Sequence, residues 1–226
     1  MRELMIATLA LIVLAAPAVA ETRDVSGFEA VNASGRFRVE IAVAADFNVT
    51  VEGPDARRIR TRLDGETLKI EPVSRPWFGE PRYNATIRVS LPRLTGVAAA
   101  RGASVTATAG GECEEFSAAA AMGAELRISD IQCESVDAAA AMGADLRLSG
   151  TCETLDVSAA MGATVRAEDL HCQIVDASAA MGADVNAFAE ASYDAAASMG
   201  ADIRIAGGGR SSDRSAVMGG SVTEPK

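Results

Sequence analysis

Residues 118–127 read AAAAMGAELR, and residues 138–147 read AAAAMGADLR. The phrase returns as SAAMGATVR at 158–166, SAAMGADVN at 178–186, AASMGADIR at 196–204 and SAVMGGSV at 215–222. The Met-Gly pairs begin at Met122, Met142, Met161, Met181, Met199 and Met218, with spacings of 20, 19, 20, 18 and 19 residues. RGASV, with Arg101 in the Met position, is a degenerate earlier copy 21 residues before Met122. A period near 20 is too short for two helices and their turns, but it fits one coil of a β-solenoid.

The residues flanking each copy alternate in the manner of strands. Six residues before the Met stand Phe116, Val136, Leu155, Val175 and Tyr193; four residues after it stand Leu126, Leu146, Val165, Val185 and Ile203. Both columns read as inward. Polar columns lie beside them: Ser117, Asp137, Asp156, Asp176, Asp194 and Asp213 on one side, and Glu125, Asp145, Thr164, Asp184 and Asp202 on the other. Two residues beyond the second set come Arg127, Arg147, Arg166, Asn186 and Arg204, a basic ladder beside an acidic one that offsets repulsion between stacked like charges. Alanine favours helix, but a Gly in the middle of every phrase and the alternating flanks argue against one. The expected fold is all-β, a single-stranded right-handed parallel β-helix. In it Ala keeps layers thin, Gly permits a bend, and Met is expected to fill gaps in the core; as a soft-metal ligand column it is the lesser reading.

The 226-residue chain is 49% hydrophobic and only 4% aromatic, with a formal net charge of −10. That balance argues against nucleic acid as a partner, since phosphate backbones attract clustered Lys and Arg. The opening MRELMIATLALIVLAAPAVAE has Arg2, an apolar run and Ala18-Val19-Ala20, the pattern of a secretory signal peptide over 1–20. No later run suits a transmembrane span. The mature part, 21–226, is read as a single domain. Within it, 27–98 form short amphipathic strands that join and cap the N-terminal end, and 99–220 carry the repeats.

The order of signal peptide, GFEAVNASGRFRVEIAVAADFNVTVEGPDARRIRTRLDGETLKIEP and small-residue rungs resembles the bacterial "putative auto-transporter adhesin, head GIN domain" family. Family rungs often read Ser-Gly-Ala-Gly, where this chain has Met-Gly-Ala-Asp, as at 142–145. The resemblance implies an exported β-helical envelope protein, periplasmic or at the cell surface, and supplies no catalytic residues.

Cys113, Cys133, Cys152 and Cys172 each stand nine residues before a repeat Met, and so form one column. Disulfides Cys113–Cys133 and Cys152–Cys172 or a buried thiol stack both suit it; four thiols in a line do not make a tetrahedral metal site. His171, the single histidine, is expected in an exposed loop and has no evident nucleophile to serve. The Asp column has the donors for Ca²⁺, but a solvated charged face is the expectation, and no metal or cofactor is assigned. The most singular stretch is RPWFGEPRY at 75–83, where Trp77, Phe78 and Tyr83 with Arg75 and Arg82 suit a sugar ring or a partner surface; a lid over the end of the core is the competing role. The leading functional expectation is a non-enzymatic adhesin-like or scaffold protein that binds a glycan or a surface or envelope protein. The alternative is a polysaccharide lyase or hydrolase on a β-helix. Self-association through the small outer residues Ala121, Ala141, Ala160, Ala180 and Ser198 is a further expectation.

Overall fold

A computed structural model describes residues 20–74 and 81–224. Its strands are β1 (Ala20–Arg23), β2 (Ala30–Ser34), β3 (Arg38–Val43), β4 (Asn48–Glu52), β5 (Ile59–Asp64), β6 (Thr67–Pro72), β7 (Thr86–Leu91), β8 (Gly96–Ala100) and β9 (Ser104–Thr108). They continue as β10 (Glu112–Ala121), β11 (Glu125–Ala141), β12 (Asp145–Ala160), β13 (Thr164–Ala180), β14 (Asp184–Ser198), β15 (Asp202–Ala206), β16 (Arg210–Val217) and β17 (Ser221–Thr223). All belong to one hydrogen-bonded sheet that winds as a β-solenoid of about 6 turns.

Stacking is parallel and in register from β10 through β14, so that Phe116 lies against Val136, Val136 against Leu155, Leu155 against Val175 and Val175 against Tyr193. Those five side chains and Leu126, Leu146, Val165, Val185 and Ile203 are buried, as the alternation requires. Between them Ala118, Ala138, Val157, Ala177 and Ala195 fill a thin second layer. Full burial of each aliphatic side chain contributes ~1.5–3 kcal/mol, and in a narrow coil every rung must supply its own share.

The methionines are where the structure overturns the expectation from sequence. Met122, Met142, Met161, Met181 and Met199 are 44–47% exposed and lie outside the core. Each has a positive φ of 52–55°, and the following Gly has one of 67–73°. The N–H of Ala124 donates to the carbonyl of Ala121 at 3.3 Å across this pair, and Ala163 donates to Ala160 in the same way. A four-residue turn with both central residues at positive φ is the type I′ combination. The repeated phrase is therefore a corner. Arg101, at φ 57°, with Gly102, at φ 74°, makes the same corner one rung earlier. Each corner is also stitched to the next: Gly123 N–H donates to Met142 O, Gly143 to Met161 O, Gly162 to Met181 O and Gly182 to Met199 O, all at 3.1 Å.

Spacing varies from 18 to 20 because the opposite bend, not the Met-Gly corner, absorbs the difference. Register shifts fall between Ile128 and Ile131, between Arg147 and Ser149, and between Ala167 and His171. Asp130, at φ 58°, occupies the extra position of one long rung, while Gly150, at φ 138°, draws in the following shorter rung.

Regular rungs begin well before residue 99. β2 pairs in parallel with both β6 and β8, and β3 with both β7 and β9. The rung of β2 and β3 is thus inserted between one made of β6 and β7 and one made of β8 and β9. Beyond β6 and β7 the direction changes: β5 is antiparallel to β6, β4 to β7 and β1 to β4. Antiparallel strands of this kind close the end of a parallel stack, which would otherwise offer its edge to another chain. Arg88 fastens the closure, its guanidinium reaching Glu40 at 3.0 Å and Glu52 at 2.6 Å.

The two kinds of glycine differ in what a side chain would meet. A Cβ on Gly150 would stand 2.1 Å from the carbonyl oxygen of Ile131, whereas one on Gly143 would meet nothing within 4 Å. Gly150→Ala is expected to cost ~3 kcal/mol in chemical denaturation and Gly143→Ala, which meets only backbone strain, ~1 kcal/mol. Equal losses would count against the tight bend at Gly150.

Candidate functional site

At the N-terminal end, where the rungs meet the antiparallel closure, the chain builds a polar recess of about 380 Å³. Strand alternation explains it. Phe37 and Val39 point into the core, so Arg36 and Arg38 between and before them point out. Tyr83 and Ala85 are likewise buried, leaving Arg82 and Asn84 outward. Main-chain bonds hold the two segments together: Tyr83 N–H donates to Arg36 O at 2.9 Å and Arg38 N–H to Ala85 O at 3.3 Å. Ser104 N–H donates to Phe37 O at 3.0 Å and adds the third side. Arg36, Arg38, Arg82, Asn84, Thr86 and Ser104 line the recess, and no Asp or Glu does so among the described residues. In a chain with 31 acids and 21 bases, such a concentration of guanidinium groups is a local reversal of the overall charge.

Of the aromatic stretch expected to bind a ligand, Arg75, Trp77 and Phe78 lie outside the described residues. Arg82 stands on the rim of the recess, exposed. Tyr83 is only 4% exposed, with the Arg58 guanidinium 5.0 Å from its ring centre. Its ring is packed into the wall, so it positions the segment and does not offer a stacking face. Asp55 anchors the same wall. It accepts from Asn84 N–H at 2.9 Å, and this bond together with Arg58 holds its carboxyl below the ordinary carboxylate range, against a smaller opposing effect of burial. Sequence reading passed over Arg36 and Arg38; the alternation of GRFRV was the signal that they share one outward face.

A second surface runs the length of the rod. Ala119, Ala139, Ser158, Ser178 and Ala196 face outward beside the half-exposed column Ala121, Ala141, Ala160, Ala180 and Ser198. Together they floor a shallow groove of about 610 Å³. The Met column borders it on one side and the acids Asp137, Asp156, Asp176 and Asp194, paired rung to rung, on the other. On the next face of the coil, Arg166 reaches Asp145 of the preceding rung at 2.9 Å and Arg204 reaches Asp184 at 3.7 Å. The Asp column has no such basic ladder. Burial, and then the charges of Asp176 and Asp137, push the Asp156 carboxyl above its ordinary pKa.

His171 lies in β13 rather than in a loop, half exposed, its ring centre 4.3 Å from that of Phe188 and its Nδ1 3.9 Å from Glu190. The register bends at this point, which is why a polar loop-like string still forms a strand. Cys113 is bonded to Cys133 and Cys152 to Cys172, with Cα separations of 4.5 Å. Among the described residues no three His, Cys, Asp or Glu side chains converge as ligands for a metal ion, and no helix is long and apolar enough to cross a membrane.

The sequence profile of the family described as "Putative auto-transporter adhesin, head GIN domain" matches residues 27–209. The chain belongs to this family. Solved structures similar to this GIN-domain chain include a putative adhesin from Bacteroides fragilis, with a TM-score of 0.79 and 15% identity over 92% of this chain and 97% of that one. A putative lipid binding protein from Parabacteroides distasonis matches with a TM-score of 0.71 and 15% identity, over 92% and 97% of the two chains. A putative adhesin from Parabacteroides merdae follows at 0.67 and 13%, over 92% and 96%. At such identities the likeness is one of fold. No curated protein matches the chain.

Two outcomes are expected. Asp156 has a folded-state pKa above its unfolded one, so its contribution favours folding below the unfolded pKa and is lost as pH rises through the folded value. Asp156→Asn should therefore raise stability at pH 7 by ~0.5 kcal/mol, a gain that disappears in pH-dependent denaturation below the usual carboxylate range. Denatured, unreduced protein should yield no free thiol, and reduction should cost ~3 kcal/mol for each bridge across its separation of 20 residues. Four free thiols would show the column to be reduced.

Proposed function

We propose that this GIN-domain chain is a non-enzymatic, exported adhesin-like binding protein whose arginine recess grips acidic groups of a surface glycan. The observation that carries the reading is the recess itself, whose lining brings the outward-facing Arg38 and Arg82 together with Asn84, Thr86 and Ser104. Guanidinium groups recognise carboxylate and sulfate oxygens through paired N–H donors. The surrounding charge of −10 repels polyanions at a distance, so binding depends on close engagement of this end of the rod and is selective for that reason. Export rests on the opening apolar run and on the adhesin-like family; residues 1–19 lie outside the described part.

A β-helix also suits polysaccharide lyases and hydrolases, but those reactions need an acid, a base or a metal brought to one point. The acids here are spread as repeated ladders, and the family and its solved relatives are described as adhesins or binding proteins.

Binding of the chain without its leader to uronate-bearing, sulfated and neutral polysaccharides tests the reading. Acidic polymers should bind, neutral ones should not, and Arg38→Ala with Arg82→Ala should weaken binding about tenfold for each arginine, or ~1.4 kcal/mol. Anionic lipid vesicles form a separate arm, suggested by the structurally similar putative lipid binding protein; vesicle binding without glycan binding would overturn the glycan assignment. Equal affinity for neutral polymers would sink the anion reading, and turnover of any of them would replace it with the enzymatic one.

A further inference from the structure

Every methionine beyond residue 5 lies in the corner column. Neither core packing nor backbone preference accounts for that. The side chains are outside the core, and each occupies a left-handed backbone position that Gly, Asn or Asp fills with less strain. An unbranched L-residue there costs ~1 kcal/mol, repeated in six rungs. Observed strain of this kind points toward a use for the side chain.

We propose that the Met column is a binding site for soft monovalent cations of the Cu(I) class, each held between thioethers of neighbouring rungs. Thioether sulfur selects soft ions over the hard ones that carboxylates take. Rungs repeat every ~4.8 Å, and the unbranched Met side chain has the torsional freedom to bring two neighbouring sulfurs onto one ion. The main-chain bonds from Gly to Met O tie the corners of successive rungs together, so the backbone positions that carry the thioethers repeat from rung to rung before any ion arrives. The side chains inside the stack are 44–47% exposed, against 80% for Met218, which ends it.

Among the described residues no thiol or imidazole joins the Met column. All four cysteines are bonded in pairs. His171 is ten residues along the coil from both Met161 and Met181, on another face. The net charge of −10 draws cations toward the rod. Because a thioether carries no proton to lose, the site keeps its affinity in mild acid, unlike sites built on Cys or His. The proposal is independent of the arginine recess.

The test uses the chain without its leader, with disulfides intact, and Ag(I) as a redox-inert probe followed through ¹³C-labelled Met methyl resonances. The methyls of Met142, Met161 and Met181 should shift together, saturating at about three ions per chain, as six paired donors allow, and with the same affinity at pH 7 and pH 5. Met142→Leu, Met161→Leu and Met181→Leu combined keep the apolar volume and should lower affinity at least tenfold while circular dichroism remains that of the parent. A single Met161→Leu variant, milder for folding, should lose the resonance shift of its neighbours first. Cu(I) transfer from a chromophoric chelator should follow the same order. Unshifted methyls in excess Ag(I), or a folded triple-Leu chain that binds as the parent does, would overturn the proposal; an affinity that falls with pH would assign the ion to His171 or carboxylates instead.

Discussion

The structure depends on the hydrogen bond from the corner glycine of one rung to the Met carbonyl of the next. A parallel stack can be continuous only if its corners also repeat, because a corner that turns differently would throw every following column out of register. Two successive residues at positive φ make a tight bend whose outer peptide still lies across the stacking direction. The N–H of Gly and the C=O of Met can then continue the ladder where most turns would interrupt it. Arg101 and the methionines occupy one backbone position for this reason, and the inward columns on both sides inherit their alignment from it.

Much of the fold is legible in the residue pattern because the period-2 alternation is locked to the Met-Gly pair. Phe116, Val136 and Leu155, and Leu126, Leu146 and Val165, sit at constant offsets from it, and constant offset in a solenoid means a shared face. The side on which Met itself falls is not legible in the same way. Hydrophobicity assigns it inward; only conformation puts it outside, and Met-Gly lacks the Asn-Gly or Asp-Gly composition by which such turns are usually recognised. His171 misleads for the converse reason: Glu-Asp-Leu-His-Cys has the polarity of a loop, yet lateral pairing to two neighbouring rungs holds it as strand.

The candidate recess was harder to read than the rungs. Its arginines come from residues 36–38 and 82, separated by an excursion through β4, β5 and β6. They become neighbours only because the rung of β2 and β3 is inserted beside that of β6 and β7. No local pattern announces an insertion of that kind. What sequence does offer is the facing of each arginine: Phe37 and Tyr83 are core anchors, so the residues beside them must face outward. Tyr83 was the more conspicuous residue, but its packing beneath Arg58 makes it a support for the surface that Arg82 presents.

Repetition and singularity divide this molecule chemically as well as structurally. Within the regular rungs any outward side chain is copied at each level, so those faces can offer only multiplicity: a line of acids, a flat strip of Ala and Ser, a line of thioethers. Such faces suit weak contacts summed along a rod or ions shared between equivalent donors. A site needing several different groups at one point must lie where the repeat fails. In this chain that is the junction between the parallel stack and its antiparallel closure, which brings together three arginines that no column could. The same reasoning separates the two acidic ladders. The one that alternates with arginines is offset within the stack, whereas no arginines alternate with the Asp137, Asp156, Asp176 and Asp194 column, where burial and then the neighbouring Asp176 and Asp137 raise the pKa of Asp156. The small-residue groove is thus bordered by an edge of carboxyl groups on one side and an apolar sulfur edge on the other, an asymmetry that gives any partner lying along it a single orientation.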